Sequence, residues 1–382
     1  MKKLAIISTH PIQYNAPLFR LLSQRNKIAL KVFYTWSQSA DGNIFDPGFG
    51  IQKKWDIPLL EGYDHCFVKN NSSKPGSNHF FGIKNPSLIK EVKAYQPDAV
   101  LIYGWSFQSH LQAMRYFKNR IPVYFRGDST LLGEPSKWTF KKVARRIALK
   151  WVYSYVDIAL YAGRFNKLYF KAHGLKESQL VHMPHAVDNN RFASSPDADV
   201  IRQRTGIPSS HHIVLYAGKL EAVKDLFLLL SAFRSLQKEN AHLVFVGNGH
   251  LENELRNASS ENCNVHFLPF ANQSEMPSIY KSANVFVLPS KSETWGLAIN
   301  EAMACSLPVI VSDKCGCSVD LVHNGKNGYV FQSGNKEELA ASLSDVLKNE
   351  NTLRNFGKES RSIINNWSFE KCAEIIENEF GK

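Results

Sequence analysis

The sequence predicts an α/β protein built from two doubly wound halves, and three observations carry that prediction. Short apolar runs rich in Val, Ile, Leu and Phe recur along the chain, and such runs form strands buried on both faces of a parallel sheet. Segments with apolar residues at helical spacing lie between them, so strand and helix alternate. The alternation breaks at the polar stretch Ser194-Ser195-Pro196-Asp197-Ala198-Asp199 and starts again at Ile213. At 382 residues the chain fits two domains of about 190 residues better than one.

In the first half, residues 3–7, 28–34, 99–103, 123–125, 156–161 and 180–183 read as strands. Met1-Lys2-Lys3-Leu4-Ala5-Ile6-Ile7 has the charge and apolar run that begin a signal peptide, but Ser8-Thr9-His10-Pro11 cuts it short, so it reads as the first strand. A helix follows through Leu18, Phe19, Leu21 and Leu22, and another covers 108–117. Residues 37–85 are rich in Gly, Asn and Ser, which predicts long loops around a few short strands. In the second half, strands are predicted at 213–217, 242–247, 264–268, 285–288, 308–312 and 328–331. Helices are predicted at 224–238, 250–256, 275–282, 296–306 and 336–348. Phe369, Cys372, Ala373, Ile376 and Phe380 share one face of a closing amphipathic helix. The boundary falls at the polar stretch, giving domains over 1–192 and 193–365.

Composition narrows the class. Hydrophobic residues at 44% and aromatics at 12% are ample for packed cores, which argues against disorder. No apolar run approaches the roughly 20 residues that cross a bilayer. The six cysteines form no CxxC, and Cys315-Gly316-Cys317 is too tight for a zinc knuckle, so a reducing, cytoplasmic setting is expected. A net charge of +12 points to an anionic partner: nucleic acid, an acidic membrane surface or a phosphorylated substrate.

The chemistry concentrates in residues 285–320. After the strand at 285–288, Glu293 lies in a loop and Glu301 within the following helix, with Gly296 between them. Amides at Trp295, Gly296 and Leu297 would face anything at the helix N-terminus, where the helix dipole favours an anion. At about 1.5 Å rise per residue, the two carboxylates stand roughly 10 Å apart, one on each side of a bound diphosphate. Carboxylates accept hydrogen bonds from hydroxyls, so the ligand that fits is a nucleotide sugar; an ordinary surface-facing Glu pair is the other reading of the bare spacing.

This segment resembles the signature of the retaining family 4 glycosyltransferases of the bacterial polysaccharide and lipid-linked glycan type. The resemblance implies the GT-B fold: two Rossmann-like doubly wound domains facing each other across a cleft, with the closing helix, 366–382, packing back on the first. In that family the first Glu holds the transferred sugar and the second the ribose; Glu293 and Glu301 match. Gly316, Asp320, Gly325 and Gly328 continue the pattern. Gly218, Lys219 and Lys224 match a Gly and two cations that stabilise the departing diphosphate; two solvated lysines are the other reading of the bare sequence. Gly247-Asn248-Gly249 resembles a family Gly-x-Gly, although a plain tight turn explains it nearly as well. Phe270 matches by position alone, where backbone groups meet the base. Asp197-Ala198-Asp199 spells the metal-binding motif of a different glycosyltransferase fold, but it follows no strand and reads as linker. No metal and no cofactor are expected.

The first half departs from the family. Its usual Gly-rich turn is Ser8-Thr9-His10-Pro11-Ile12-Gln13-Tyr14, and Pro11 lacks an amide. His10 and Gln13 either contact acceptor or phosphate, or cap the next helix. The family's usual His is replaced by Arg126-Gly127-Asp128-Ser129. There Arg126 binds a phosphate and Asp128 receives the acceptor proton, or the two form a structural ion pair. Residues 137–151 hold Lys137, Lys141, Lys142, Arg145, Arg146 and Lys150 among Trp138, Phe140 and Trp151. Such a basic amphipathic helix suits an anionic lipid surface, the alternative being a solvated face over the core.

The resemblance thus implies metal-independent, retaining transfer of a hexose or N-acetylhexosamine from a nucleotide sugar, UDP favoured over GDP. The acceptor would be a glycan or a polyprenyl-diphosphate-linked sugar in surface polysaccharide or lipopolysaccharide synthesis, at the cytoplasmic face of the membrane. A nucleotide-sugar epimerase or phosphorylase would share the fold. A nucleic-acid-binding protein would explain the charge, but no recognised module is present. A nicotinamide dehydrogenase is disfavoured, because no G-x-G-x-x-G follows the first strand.

Overall fold

The structure, a computed structural model, describes residues 1–36, 44–46, 51–53, 55–134, 137, 139–194 and 199–381. Residues 195–198 of the polar stretch and Trp138 lie outside the described residues. The chain divides into two compact units. One comprises Met1–Ile44, Pro58–Pro184 and Phe369–Lys382; the other comprises Phe45–Ile57 and His185–Ser368.

The first unit is built on strands β1 (Lys3–Ser8), β2 (Ala29–Tyr34), β5 (Asp64–Phe67), β6 (Ala99–Tyr103), β7 (Val123–Arg126), β8 (Ile158–Tyr161) and β9 (Leu180–His182). They form one sheet in the order β5-β2-β1-β6-β7-β8-β9, and every pairing is parallel. Leu4, Ala5, Ile6 and Ile7 of β1 are fully buried, as expected of a central strand covered on both faces. Short strands β3 (Ile44–Asp46) and β4 (Ile51–Lys53) pair with each other.

The helix Phe369–Gly381 belongs to this unit. Its Phe380 ring stacks on Tyr124 at 4.5 Å. Its Glu377 accepts from Nε and Nη2 of Arg25 at 2.6 and 2.9 Å, and this pairing holds the carboxyl below its ordinary pKa.

The second unit carries β10 (His212–Ala217), β11 (Ala241–Val246), β12 (Val265–Leu268), β13 (Val285–Leu288), β14 (Val309–Ser312) and β15 (Gly328–Phe331). Their order is β12-β11-β10-β13-β14-β15, again wholly parallel. This is the Rossmann order, and it reverses direction between β10 and β13. The segment Phe45–Ile57 joins this unit, where the Asp56 carboxylate accepts from the Ser274 amide at 3.1 Å.

Among the described residues, three helices of 8 residues or more lie outside the sequence expectation: Leu88–Tyr95, Arg164–Ala172 and Glu350–Ile364. The last buries Leu353, Phe356, Ser360 and Ile364, a helical stripe hidden by many polar neighbours and an interior Gly357. The units divide between Pro184 and His185, ahead of the 192/193 boundary read from the polar stretch. The helix Asn189–Ser194 explains the difference, because its Phe192 is fully buried against Tyr280 of the second unit, ring centres 5.8 Å apart.

Candidate active site

Where strand order reverses in a doubly wound sheet, the loops on either side lead to opposite faces and leave a crevice beyond the strand ends. In the second unit these are the loops after β10 and β13. Gly218, Lys219 and Lys224 lie on the first and Glu293 on the second.

The loop after β10 is pressed onto its neighbour. Gly218 N–H donates to Val246 O at 2.9 Å, and Leu220 N–H to Asn248 O at 3.0 Å. Gly247 has φ +132°, and a Cβ there would lie 2.1 Å from the Gly218 carbonyl oxygen, so the backbones meet only because it is glycine. Close approach, rather than a bare turn, therefore accounts for this glycine. Asn248 Oδ1 accepts from Phe270 N–H at 2.8 Å, and the buried Tyr216 hydroxyl donates to Lys219 O at 2.7 Å. Gly218, Lys219, Gly247 and Phe270 thus belong to one hydrogen-bonded set of loop ends.

The predicted helix from residue 224 begins instead at Leu226, after the one-turn helix Ala222–Lys224 and a left-handed Asp225 at φ +53°. That break leaves Lys224 in the loop, where it forms an ion pair with Glu293. Both side chains are only about a fifth exposed, at 19% and 21%, so water weakens the pair less than on an open surface. Lys291 reinforces the join, its amide donating to Val223 O at 2.8 Å and its ammonium lying 2.9 Å from Asp225 Oδ1.

The Glu293 loop is laced to the turn after β14. Glu293 N–H donates to Lys314 O at 3.1 Å, Gly316 N–H to Glu293 O at 3.0 Å, and Cys317 N–H to Trp295 O at 3.0 Å. Gly296, at φ +98°, caps the helix Leu297–Ala304. Its first amides, Leu297 included, have no carbonyl partner within the helix. Beneath the loop lie the buried thiols of Cys315 and Cys317; burial and the Glu293 charge raise both, Cys315 to about 12, so they stay protonated at neutral pH.

Glu301 sits further along the helix, 4% exposed, and accepts from the Tyr280 hydroxyl at 2.8 Å. Its neighbour Asn300 is fully buried, accepting from the Trp295 indole N–H at 2.9 Å and donating to His185 O at 2.9 Å. The Trp295 ring lies 5.1 Å from that of Trp367. Tyr216, Tyr280 and Asn300 are candidate site residues that the sequence reading does not single out, and it takes Trp295 for its amide alone, not for its indole. Trp295 and Asn300 stand inside the motif and were findable there. Tyr280 meets a partner 21 residues away, which no local spacing signals.

In the first unit, His10 and Gln13 lie on the loop after β1, beside the order reversal between β1 and β6; His10 Nδ1 is 3.0 Å from Thr9 Oγ1. Asp128 is exposed just beyond β7. Arg126 is corrected: it is 5% exposed, its Nη1 donating to Leu160 O at 3.0 Å and to Met183 O, its Nη2 to Pro184 O at 3.1 Å. A guanidinium fixed on three carbonyls is a brace for β8 and β9, not a phosphate ligand.

The basic stretch forms the helix Phe140–Tyr153. Lys142, Arg145 and Arg146 approach Glu134, itself 9% exposed, at 3.6, 3.4 and 3.1 Å, so these three expected patch cations are partly neutralised within the fold. Lys141 and Lys150 are exposed. Between them runs an apolar stripe, Phe140 90%, Val143 41%, Ile147 67% and Trp151 47% exposed. Among the described residues no helix is long and apolar enough to cross a membrane, and no group of three or more His, Cys, Asp or Glu is placed to hold a metal ion.

Residues 197–363 match the family model described as glycosyl transferases group 1. The chain is 26% identical over 314 residues to sulfoquinovosyl transferase SQD2 of Arabidopsis thaliana, covering 77% of this chain and 58% of that one. It is 27% identical over 262 residues to a GDP-mannose-dependent phosphatidylinositol monomannoside mannosyltransferase of Mycolicibacterium smegmatis, covering 64% and 68%. The chain therefore spans somewhat over half the length of these curated relatives. In fold it is similar to sucrose-phosphate synthase of Thermosynechococcus elongatus, with a TM-score of 0.74 at 18% identity, covering 100% of this chain and 98% of that one. Anabaena HepE, solved in complex with UDP and glucose, gives a TM-score of 0.73 at 18% identity and full coverage of both chains. Two parallel Rossmann-like sheets and these structural matches give the chain the GT-B fold, and its second unit, with the paired Lys224 and Glu293 at the reversal point, is the part that matches the group 1 glycosyl transferase model.

Proposed function

We propose that the protein transfers a hexose or N-acetylhexosamine from a nucleotide sugar, UDP favoured over GDP, to a glycan or a polyprenyl-diphosphate-linked sugar, with retention and without a metal or cofactor. The observation that carries this reading is the Lys224–Glu293 pair where the sheet reverses, next to the amide end of the helix Leu297–Ala304. A carboxylate, two lysines and the opening amides of a helix around one crevice suit a ligand with hydroxyls at its ends and phosphates between. Support for UDP comes from Anabaena HepE, solved with UDP-glucose. The mycobacterial relative named as GDP-mannose-dependent keeps GDP as the second donor to test.

In this mechanism Glu293 orients the sugar and Glu301 holds the ribose. As the bond from the anomeric carbon to the diphosphate breaks, Lys219, Lys224 and the Leu297 amide stabilise the charge that builds on the leaving oxygen. The acceptor hydroxyl attacks from the same face, so the new glycosidic bond keeps the original configuration. Its proton passes to the departing diphosphate or to Asp128; His10 and Gln13 lie on the acceptor side.

The site of work is the cytoplasmic face of a membrane. The stripe Phe140, Val143, Ile147 and Trp151, flanked by Lys141 and Lys150 on a chain of net charge +12, suits an anionic lipid surface.

Incubation with UDP-glucose, UDP-galactose, UDP-N-acetylglucosamine and GDP-mannose, each with and without EDTA and a lipid-linked sugar acceptor, tests the reading. Acceptor-dependent release of the nucleoside diphosphate, unaffected by EDTA and giving an α-linked product from an α-linked donor, is expected. Release that needs added metal, inversion at the anomeric carbon, or conversion of the donor without acceptor would overturn it.

A further inference from the structure

We infer that Tyr280 is a positioning residue for the ribose of the bound nucleotide, acting through Glu301. The inference rests on Glu301 being the ribose-holding acid, as proposed above. The Tyr280 ring is fully buried on the helix Met276–Lys281, wedged between Phe192 at 5.8 Å and Phe286 at 5.4 Å, ring centre to ring centre. Packing on both sides fixes the ring, and the ring fixes its hydroxyl, which donates to Glu301 Oε2 at 2.8 Å. A carboxylate that is 4% exposed and accepts at Oε2 from a fixed hydroxyl cannot swing freely about its last torsion. Its plane is set by the protein before any ligand arrives. A hydroxyl pair on a five-membered ring then meets an acceptor already oriented, and binding avoids the cost of ordering it. Tyr280 lies outside the Glu293-to-Glu301 motif, and its hydroxyl contributes one hydrogen bond whose removal leaves the aromatic packing intact.

The test compares two nucleotides on two proteins. Calorimetric titration of the wild-type protein with UDP and GDP selects the tighter nucleotide, and its 2′,3′-dideoxy analogue is measured alongside. Tyr280→Phe is expected to weaken binding of the ribonucleotide by about tenfold, the effect of losing one hydrogen bond to a charged group, and to leave the dideoxy analogue nearly unchanged. The donor KM should rise by the same factor while kcat holds. Equal weakening of both nucleotides, or no weakening of either, would overturn the inference. The ratio of the two dissociation constants cancels any general loss of folded protein, so a less stable variant still discriminates between the outcomes. Glu301→Gln separates the underlying reading: if it too leaves the ratio at the wild-type value, the ribose assignment of Glu301 falls first. If Glu301→Gln collapses the ratio and Tyr280→Phe does not, only the role of Tyr280 falls.

Discussion

The reversal point of the second sheet and the segment from the end of β7 onward in the first use their charged residues in opposite ways. At the second, Lys224 and Glu293 are paired to each other at the strand ends, partly open, beside the amide end of a helix. In the first, Arg126 is turned inward onto three carbonyls, and Lys142, Arg145 and Arg146 converge on Glu134. The lesson is that a cation near a strand end becomes a ligand-binding group only when the fold leaves it a mobile partner. A side-chain carboxylate can yield to a phosphate; backbone carbonyls that brace two strands cannot without cost to the fold.

Mutation should sharpen that contrast, and the largest effect falls at the second sheet. Glu293→Ala and Lys224→Ala should each lower transfer by about two to three orders of magnitude, as loss of a preorganised charge-stabilising group does, while the melting temperature changes little. Steady-state kinetics with the identified donor check this, and wild-type turnover in either variant would erase the contrast. Arg126→Ala should behave the other way round. It strands buried carbonyls and should cost about 3 kcal/mol or more of stability, read by urea denaturation, with kcat of the surviving folded protein close to normal. Arg126→Lys should recover only part, because an ammonium cannot serve three carbonyls from one fork. The smallest effect is on a surface. Ile147→Glu should abolish co-sedimentation with vesicles containing phosphatidylglycerol and leave turnover on a soluble acceptor unchanged. Wild-type binding by that variant would return the stripe to an ordinary solvated face.

The two sheets were legible because strands buried on both faces need unbroken apolar runs, and residues 285–288 and 309–311 supply them without competition. Glu293, Gly296 and Glu301 were legible for a related reason: one strand, one loop and one helix fix their spacing locally. Helix Glu350–Ile364 was hidden because its buried stripe is thinly apolar and interrupted by Gly357 and Ser360. The role of Arg126 was not legible because its three acceptors come from strand ends some 34 to 58 residues away, a closure that only the folded sheet reveals. The same distance problem concealed Tyr280 behind Glu301. Glu134 could not be seen as the counter-ion of the basic helix from composition, which counts charges and not the partners they find.

The placement of the last helix has a consequence for how the protein is made. Phe369–Gly381 leaves the ribosome more than 200 residues after Tyr124, yet it supplies the ring that covers Tyr124 and the carboxylate that takes Arg25, both on elements translated far earlier. The first unit therefore stays incomplete long after most of it has been translated. Until that helix is made, one flank of its sheet stays wet, and a chain that stops before Phe369 leaves that flank permanently open to chaperones and proteases.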